Sequence, residues 1–278
     1  MKEILVSARA NRFAVAALSF WSLDSAQAAM EAADEAGMPV ILQTGQLESE
    51  FAGFENLARI VRMVAENSPV RTALHLDHGG SIETAKIAID NGFTSVMIDA
   101  SHLPYRENVA ITQRVVELSS PYGVTVESEL GRLSGSEAGK TVSQEENTQT
   151  DPEEAQKFVS ETGIDALAVA IGTGHGFYKQ KPKLNLKKLE EISEKVKIPL
   201  VLHGGSDTPD DQVLRAIGLG VAKVNICTEF IAAFGKAYIC AQAAAGFKYS
   251  VPSLFGAGKD KGKELALAKI RLFANKAV

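Results

Sequence analysis

The feature that most constrains the fold is a regular alternation along the chain between short apolar segments and longer segments of helical periodicity. Such alternation is typical of parallel strands joined by crossover helices. The apolar segments predict eight strands: Ala14–Phe20, Pro39–Gln43, Thr72–His78, Ser95–Asp99, Thr125–Leu130, Ala166–Ile171, Leu200–His203 and Ala222–Ile226. The predicted helices are Ser25–Ala36, Glu55–Glu66, Ile82–Asn91, Pro104–Ser119, Pro152–Thr162, Asn185–Val196, Pro209–Leu219 and Thr228–Ala245.

The predicted strands are nearly continuous in Val, Ile, Leu and Ala, which favours strands buried on both faces over half-exposed antiparallel ones. Glycines such as Gly37 and Gly163 fall just after helices, where a left-handed cap favours Gly. Eight such βα units predict an α/β fold, a (β/α)8 TIM barrel forming a single domain over residues 1–278. A doubly wound sheet is the alternative, but it needs no eighth strand.

Composition excludes several classes of function. Of the 278 residues 45% are hydrophobic, enough for a large core, and the formal charge is −5 with no Lys/Arg-rich run, which argues against nucleic-acid binding. No apolar run is long enough for a membrane helix. Cys227 and Cys240 give no disulfide framework, so we expect two reduced thiols in a cytoplasmic protein.

The N-terminus imitates a secretory signal. Basic residues precede the apolar run Phe13–Trp21, and Ala26–Gln27–Ala28 resembles a cleavage site. The same run is needed as the first strand of a complete barrel, so we interpret it as structure rather than as a signal peptide.

One long segment, Gly131–Gln149, interrupts the alternation between the fifth strand and its helix. It is rich in Gly, Ser, Thr and acidic residues. Loops of this length in a compact domain are usually functional, so we predict a functional loop here.

All five histidines fall in motifs at the predicted C-terminal strand ends, the face that carries the active site of a TIM barrel. His78, His175 and His203 come from strands three, six and seven. Three neutral imidazoles with an open fourth position are the ligand set of a catalytic Zn²⁺. The pattern therefore predicts a zinc site, with His75 and His102 orienting ligands or serving the structure.

Carboxylates accompany these histidines. Asp77 precedes His78 by one residue, so it is expected to face substrate while His78 faces the metal. Asp99 and Glu129 end neighbouring strands. Four roles are open to them from the residues alone: binding a second divalent ion, orienting the metal ligands, acting as acid or base, or forming buried salt bridges.

A phosphate site is predicted independently of the metal. TIM barrels often bind phosphate with the loops after strands seven and eight. Here those loops are Gly204–Gly205–Ser206 and Asn225–Thr228, the second leading into a helix N-terminus, with Gly176 nearby. Glycine lets backbone N–H groups approach an anion, and a helix N-terminus favours negative charge.

These motifs occur in a fixed order: HLDHG, MIDASHLPYRENV, VESELG, TDPEEA, IGTGHGFYK, LHGGSDTP and KVNICTE, followed by the tail IRLFANKA. Together they resemble the class II, zinc-dependent ketose-bisphosphate aldolases, the family of fructose- and tagatose-bisphosphate aldolases. The similarity extends from about Pro39 to Thr228. The resemblance implies reversible cleavage of a ketose bisphosphate, by default fructose 1,6-bisphosphate, to dihydroxyacetone phosphate and glyceraldehyde 3-phosphate.

The resemblance also implies roles for individual residues. Zinc is held by His78, His175 and His203, and Asp77 moves the proton on the oxygen at the reacting bond. Glu137 exchanges the carbon-bound proton of dihydroxyacetone phosphate. The remaining implied roles are an alternate metal position at Asp99 and Glu129 and phosphate binding by Gly176, Gly204, Ser206, Asn225 and Thr228. A monovalent cation (Na⁺ or K⁺) nearby and a homodimer or homotetramer are further expectations.

Three departures from the family pattern bear on the substrate. Ser19–Ser22 replaces an Asn-rich stretch, Thr44–Glu48 replaces a small Ser/Gly turn, and Asp207 lies in the phosphate loop where Gly is commoner. A carboxylate ~6 Å from a phosphate charge would cost about 3 kcal/mol unless a cation offsets it. The alternative substrates are therefore tagatose bisphosphate and a ketose 1-phosphate with an unphosphorylated aldehyde half. The alternatives to an aldolase are a zinc hydrolase or epimerase and a non-catalytic sugar-phosphate binder.

Overall fold

The computed structural model describes residues 1–133, 135–137, 140–142, 148–178, 180–246, 248 and 250–275, with only the backbone of 135–137 and 140–142. Eight parallel strands close into a barrel. In their order around the barrel they are β1 (Val15–Ser19), β2 (Val40–Gly45), β3 (Thr72–Gly79), β4 (Ser95–Ile98), β5 (Thr125–Leu130), β8 (Ala166–Val169), β9 (Leu200–Leu202) and β10 (Val221–Ile226). A separate antiparallel hairpin consists of β6 (Gly135–Glu137) and β7 (Lys140–Val142).

Helices surround the barrel and close one end of it. In the described residues they are α1 (Lys2–Ala10), α2 (Leu23–Ala36), α3 (Gln46–Ala52), α4 (Phe54–Ala65), α5 (Ile82–Asp90), α6 (Tyr105–Ser119), α7 (Pro152–Thr162), α8 (Leu186–Lys195), α9 (Asp210–Gly218), α10 (Thr228–Ala245) and α11 (Val251–Phe273), with a 3-10 turn at Ser120–Tyr122. None of these helices is both long and apolar enough to cross a lipid bilayer.

The predicted (β/α)8 barrel is confirmed, and every predicted strand lies in it. The run Phe13–Trp21, which imitates part of a signal sequence, contains β1, which pairs with both β2 and β10. Helix punctuation also agrees with expectation. Asp151 caps α7 by accepting bonds from the backbone N–H groups of Glu153 and Glu154, and Gly163 ends that helix at φ 70°.

Successive side chains of each strand point alternately out of the barrel and into it. Outward-facing residues pack under the helices in one large cluster that includes Leu18, Leu42 and Leu76. Inward-facing residues such as Val15, Ile41 and Val201 form a smaller apolar cluster inside the lower barrel. Because successive side chains of a strand point to opposite faces, the next inward residues two positions along lie higher in the barrel.

Those higher interior positions are polar. Ile41 is followed by Gln43, Ala73 by His75 and Asp77, and Val201 by His203, and all four polar side chains are buried. The barrel interior therefore changes from apolar at the N-terminal ends of the strands to polar and ionisable at the C-terminal ends.

In the described residues, three helices and one hairpin are elements that the sequence did not predict. Helix α1 covers the N-terminal end of the barrel by burying Ile4, Leu5 and Ala8 against the lower cluster. Helix α3 follows β2 directly, and α11 packs on α2 and α10. The segment Gly131–Gln149, expected to be a loop, contains the hairpin β6–β7.

Candidate active site

A β-bulge positions two of the predicted site residues, Asp77 and His78, at the end of β3. The register between β3 and β4 shifts between Leu76 and Gly79, and His78 has φ 47°, which is uncommon for a non-glycine residue. A bulge redirects a side chain relative to the strict alternation of a strand. Asp77 and His78 therefore both reach the opening at the C-terminal strand ends, called the barrel mouth below.

Three histidines from three different strand ends meet at the barrel mouth. His78, His175 and His203 each offer a ring nitrogen, and these atoms lie within 4.8 Å of one another. The ring of His78 lies with its centroid 5.0 Å from that of His175 and 4.7 Å from that of His203. This is the trio that the sequence predicted as metal ligands.

The hydrogen-bond partners of His78 and His203 indicate which nitrogen of each ring carries the proton. Nδ1 of His78 lies 2.9 Å from Oδ2 of Asp99, so Nδ1 carries the proton that the carboxylate accepts. The far nitrogen of His203, Nε2, lies 2.9 Å from Oε1 of Glu127 and carries its proton for the same reason. Each neutral ring is then left with a lone pair on its other nitrogen.

Those two remaining nitrogens face each other. Nε2 of His78 and Nδ1 of His203 are 2.8 Å apart. Two neutral acceptors at this distance require a cation between them, either a proton or a metal ion. Imidazole nitrogens are favoured ligands of Zn²⁺, and an outer carboxylate on each ring is typical of metal-binding histidines. The donor set at the mouth therefore fits a divalent metal.

Burial keeps the other two imidazoles neutral. It lowers the pKa of His175 to about 3, and the neighbouring His78 and His203 act in the same direction. Burial likewise holds the pKa of His203 well below its usual value. A neutral imidazole is the form that binds a metal, so at neutral pH both rings are ready to do so.

Asp99 and Glu129 lie beside the trio and share His78 as a neighbour. Burial acts to raise the pKa of Asp99, but hydrogen bonds from His78 and Ser101 outweigh it and the pKa is lowered. Glu129 differs, because burial and then the charge of Asp99 raise its pKa well above the usual value. Its Oε2 is buried without a hydrogen-bond partner, which leaves that oxygen available to a cation.

Asp77 is held in place by side chains from two other strands of the barrel. Gln43 on β2 donates from Nε2 to Oδ2 of Asp77 at 2.9 Å, and Asn225 on β10 donates from Nδ2 to Oδ1 at 3.1 Å. Both amides leave a buried carbonyl oxygen, Oε1 of Gln43 and Oδ1 of Asn225, without a hydrogen-bond partner. The carboxylate of Asp77 is 5% exposed and borders the same cleft as the metal-binding trio.

A narrow cleft extends from Asp77, His78 and His175 towards the loops after β9 and β10. It lies where the sequence predicts a phosphate site, and is called the phosphate cleft below for that prediction. The five predicted phosphate-binding residues all line it: Gly176, Gly204, Ser206, Asn225 and Thr228. Helix α10 begins beside this cleft at Thr228 with no side-chain cap, and the N–H of Glu229 in its first turn donates to Oγ of Ser206 at 3.2 Å. Its N-terminus therefore offers the positive end of an 18-residue helix dipole to an anion.

The loops around the phosphate cleft are fixed to each other by Tyr178. Its hydroxyl accepts from the N–H of Gly174 at 2.8 Å and lies within hydrogen-bond distance of the carbonyls of Gly174 and Gly204. Gly204 has φ 65°, and a Cβ there would lie 2.3 Å from the carbonyl oxygen of Gly174. Only glycine permits this approach of the two loops.

Asp207 also has a positive φ, 61°, which explains why glycine suits this position in the family pattern. Its carboxylate is paired with Lys181. The cation that the sequence analysis required to offset a carboxylate near the phosphate is therefore present.

The remaining predicted residues lie elsewhere. His75 is fully buried inside the barrel below the mouth, and His102 is exposed at the rim. Neither joins the metal-binding trio. Glu137 falls in β6, and its side chain lies outside the described part of the structure.

Sequence reasoning missed four polar residues that shape the site. Gln43, Glu127 and Lys223 lie within otherwise apolar strands and are fully buried, and Tyr178 fixes the phosphate loops. A charged or amide residue inside a strand predicted to be buried on both faces was the available signal, because such residues are rarely buried unless they are paired.

The comparison with known protein families bears on this geometry directly. The family model described as fructose-bisphosphate aldolase class-II matches residues 1–277. The chain belongs to this family. The enzyme is thus a metal-dependent aldehyde-lyase acting on phosphorylated sugars, which favours the aldolase over the hydrolase, epimerase and non-catalytic alternatives.

Individual relatives of this aldolase agree over nearly their whole length. The fructose-bisphosphate aldolase of Geobacillus stearothermophilus is 43% identical over 278 residues, covering 99% of this chain and 96% of the relative. That of Staphylococcus aureus (strain Mu50) is 42% identical over 276 residues, with coverage of 98% and 96%. The crystal structure of the YdjI aldolase from Escherichia coli K12 superposes with a TM-score of 0.86 at 33% identity, covering 99% of this chain and 97% of that chain.

Proposed function

We propose that this aldolase cleaves fructose 1,6-bisphosphate reversibly into dihydroxyacetone phosphate and glyceraldehyde 3-phosphate, with zinc as its metal. The observation that carries the proposal is the pair of imidazole nitrogens on His78 and His203 that face each other 2.8 Å apart, while the outer nitrogen of each ring faces a carboxylate. A divalent metal ion would satisfy both lone pairs, and the adjoining phosphate cleft would orient a phosphorylated substrate towards it.

The phosphate of the ketone half binds in the phosphate cleft. Gly176 and Gly204 bring backbone N–H groups close to the anion, Ser206 and Thr228 supply hydroxyls, and the N-terminus of α10 adds the positive end of its dipole. The phosphate thereby fixes the position of the ketone relative to the histidines.

His78, His175 and His203 would hold the zinc ion, with Asp99 and Glu129 offering a second divalent position. A bound zinc ion supplies Lewis-acid chemistry by polarising the ketone carbonyl. Asp99 orients His78 through Nδ1, and Glu127 orients His203 through Nε2. A monovalent cation near the phosphate remains a prediction.

Asp77 is the general base for cleavage. Asp77 takes the proton from the hydroxyl whose carbon becomes the aldehyde. The carbon–carbon bond then breaks, and the electron pair of that bond passes to the ketone half. Gln43 donates to one carboxylate oxygen and Asn225 to the other, so the base keeps one orientation. In condensation Asp77 returns the proton to the same oxygen.

Glu137 is proposed to deliver the proton to the carbon of the released ketone half. The support is its place in the family pattern and on β6, which follows β5 after four residues at the mouth end of the barrel. Its role remains a proposal.

A ketose 1-phosphate with an uncharged aldehyde half is the second candidate substrate. It is favoured because no Lys or Arg is among the described residues that line the phosphate cleft and the metal-binding trio. The turn after β2, with Gly45 and Gln46, also departs from the family's small Ser/Gly turn. Tagatose bisphosphate differs from the fructose isomer only in stereochemistry and is tested alongside it.

The proposed assembly is a homodimer or homotetramer built on α10 and α11. Of the 18 residues of α10 only Phe230 is buried. Large apolar side chains are exposed on both helices, with Ile239 at 64% and Val251 at 70%. Contiguous exposed apolar surface usually marks an interface, and light scattering coupled to size-exclusion chromatography measures the state. A cytoplasmic location stays a prediction.

The experiment is cleavage of fructose 1,6-bisphosphate by the zinc-loaded protein before and after treatment with a strong chelator. The proposal predicts release of dihydroxyacetone phosphate that stops on chelation and returns with zinc. Chelator-resistant cleavage contradicts the metal. Absence of cleavage with zinc bound directs the same assay to tagatose 1,6-bisphosphate and then to condensation with unphosphorylated aldehydes.

A further inference from the structure

A buried ion pair lies inside the barrel directly below the metal-binding trio. Lys223 projects from β10 and Glu127 from β5, and both side chains are fully buried. The ammonium Nζ of Lys223 contacts both carboxylate oxygens of Glu127, at 3.0 and 2.7 Å. Removing ions from water is costly, so a pair at this depth requires an explanation beyond fold stability.

The third contact of the Lys223 ammonium is with His75, at 3.1 Å from Nζ to Nε2. A lysine ammonium can only donate, so Nε2 of His75 accepts and its proton is on Nδ1. That proton points to Oγ of Ser95, 2.8 Å away. Lys223 thus fixes the tautomer of one buried histidine directly.

It fixes a second histidine through Glu127. Because the ammonium binds both carboxylate oxygens, the carboxylate has a defined rotation, and its Oε1 lies 2.9 Å from Nε2 of His203. His203 therefore keeps its proton on Nε2 and presents the lone pair of Nδ1 to the barrel mouth. His75, Asp77 and Glu127 have the spacing of a metal site, but Lys223 already supplies the cation to two of these three residues.

We propose that Lys223 is a positioning residue for the catalytic metal: it orients Glu127, which in turn holds His203 in the one tautomer that can bind zinc. This inference rests on the proposed role of His203 as a ligand. Lys223 is neither in the trio nor among the residues that line the phosphate cleft, so its charge acts on the site through Glu127 and His75.

The first test is the zinc affinity of Lys223→Met, measured by competition with a chromophoric chelator. Methionine keeps most of the length of the side chain but cannot donate. Loss of outer-shell partners of metal ligands weakens metal binding by roughly 10–100-fold, and a loss in this range is expected here. Lys269→Met is the matched control, because Lys269 is also largely buried, pairs with Glu229, and should keep its zinc affinity within about twofold.

A role in stability alone would not change the histidine tautomer. Long-range proton–nitrogen NMR on the zinc-free full-length chain, labelled at its five histidines, separates protonated from unprotonated ring nitrogens. His203 should be a single Nε2–H tautomer in the wild type and in Lys269→Met, and a mixture in Lys223→Met. Zinc affinity within twofold of wild type, or an unchanged single tautomer, overturns the proposal.

A second variant covers the case in which Lys223→Met does not fold. The double substitution Lys223→Met with Glu127→Leu removes both charges, and replacing a buried ion pair by apolar residues is often tolerated. His203 then lacks its acceptor, so zinc affinity should fall as far as in the single variant. Wild-type affinity in the folded double variant overturns the proposal. Absence of zinc binding by the wild type would instead contradict the proposed metal site.

Discussion

The two ends of the barrel interior are built from the same strands but differ in chemistry. At the N-terminal end, α1 closes the barrel with Leu5 and Ile4 on an apolar layer. Two to four residues further along the same strands, the inward positions are His75, Asp77 and His203. One end excludes water around a sealed core, and the other presents buried ionisable groups to an opening.

The difference follows from the separation of stability and activity in barrels of this kind. Residues at the C-terminal strand ends serve catalysis, and those at the other end serve stability. The buried Lys223–Glu127 pair lies between the two layers. We infer that substitutions at the mouth should abolish activity with a small effect on unfolding, and substitutions at the closed end the reverse.

The largest effect is expected for His175→Ala at the mouth. Removal of one of three imidazoles should abolish zinc binding and lower kcat/KM by more than about 1,000-fold, while far-UV circular dichroism stays unchanged. Metal content and cleavage rate are measured on the same preparation. His102→Ala is the control, since His102 is exposed at the rim. Full activity of His175→Ala would contradict the assignment of the ligands.

Asp77→Asn separates proton transfer from metal binding at the same end. The amide cannot take a proton, so kcat should fall by roughly 10²–10⁴-fold with zinc still bound one per chain. Steady-state kinetics and metal analysis give both numbers. Loss of zinc together with activity would show that Asp77 is needed for the metal site itself.

Leu5→Ala tests the closed end. Leu5 is fully buried in α1 against the lower cluster, and a large-to-small change there costs about 2–5 kcal/mol of unfolding free energy. Zinc affinity should not change. Val6→Ala on the same helix is the control, because Val6 is 49% exposed and should shift stability by less than about 0.5 kcal/mol. Urea unfolding measures both, and a weaker zinc site in Leu5→Ala would break the separation.

Acid is expected to lower the stability of the zinc-free protein through His175 at the barrel mouth. Burial lowers the pKa of His175 to about 3, whereas in the unfolded chain its pKa is near 6.5, so the unfolded state binds more protons between these values. The zinc-free protein should therefore lose stability as the pH falls through 6.5, and the loss from this residue approaches roughly 1 kcal/mol per pH unit once the pH is well below 6.5. Urea unfolding of the zinc-free wild type and of His175→Ala between pH 7 and pH 5 checks this. An equally steep loss in the variant would contradict it.

The smallest effect is predicted for Tyr178→Phe, which sharpens the comparison within the mouth. Its hydroxyl joins the loops that carry Gly174 and Gly204. Loss of these hydrogen bonds should cost about 1 kcal/mol and raise KM several-fold, with zinc affinity unchanged. A fall in kcat without a change in KM would show that the loops do more than bind phosphate.

The mouth could be predicted from the sequence to a large extent. Parallel strands bring their carboxyl ends to one face, so His78, His175 and His203 at three strand ends had to be neighbours once the barrel was recognised. The direction in which Asp77 points is harder to predict from the sequence, because the bulge at His78 depends on the pairing of β3 with β4.

The layer below and the closed end could not be predicted in the same way. Lys223 and Glu127 are visible as charges within apolar strands, but their contact depends on the register with which the barrel closes. Helix α1 has only nine residues, and three of them are buried, too few for a clear helical pattern. Its position is determined by the open end of the barrel, not by its own periodicity.

The most direct test of the account is the position of the metal in crystals of the zinc-loaded protein, measured by anomalous scattering at the zinc edge. We expect one strong peak bonded to ring nitrogens of His78, His175 and His203 at about 2.0–2.1 Å. A peak instead among His75, Asp77 and Glu127, in place of the Lys223 ammonium, would contradict both the ligand assignment and the role given to the buried pair.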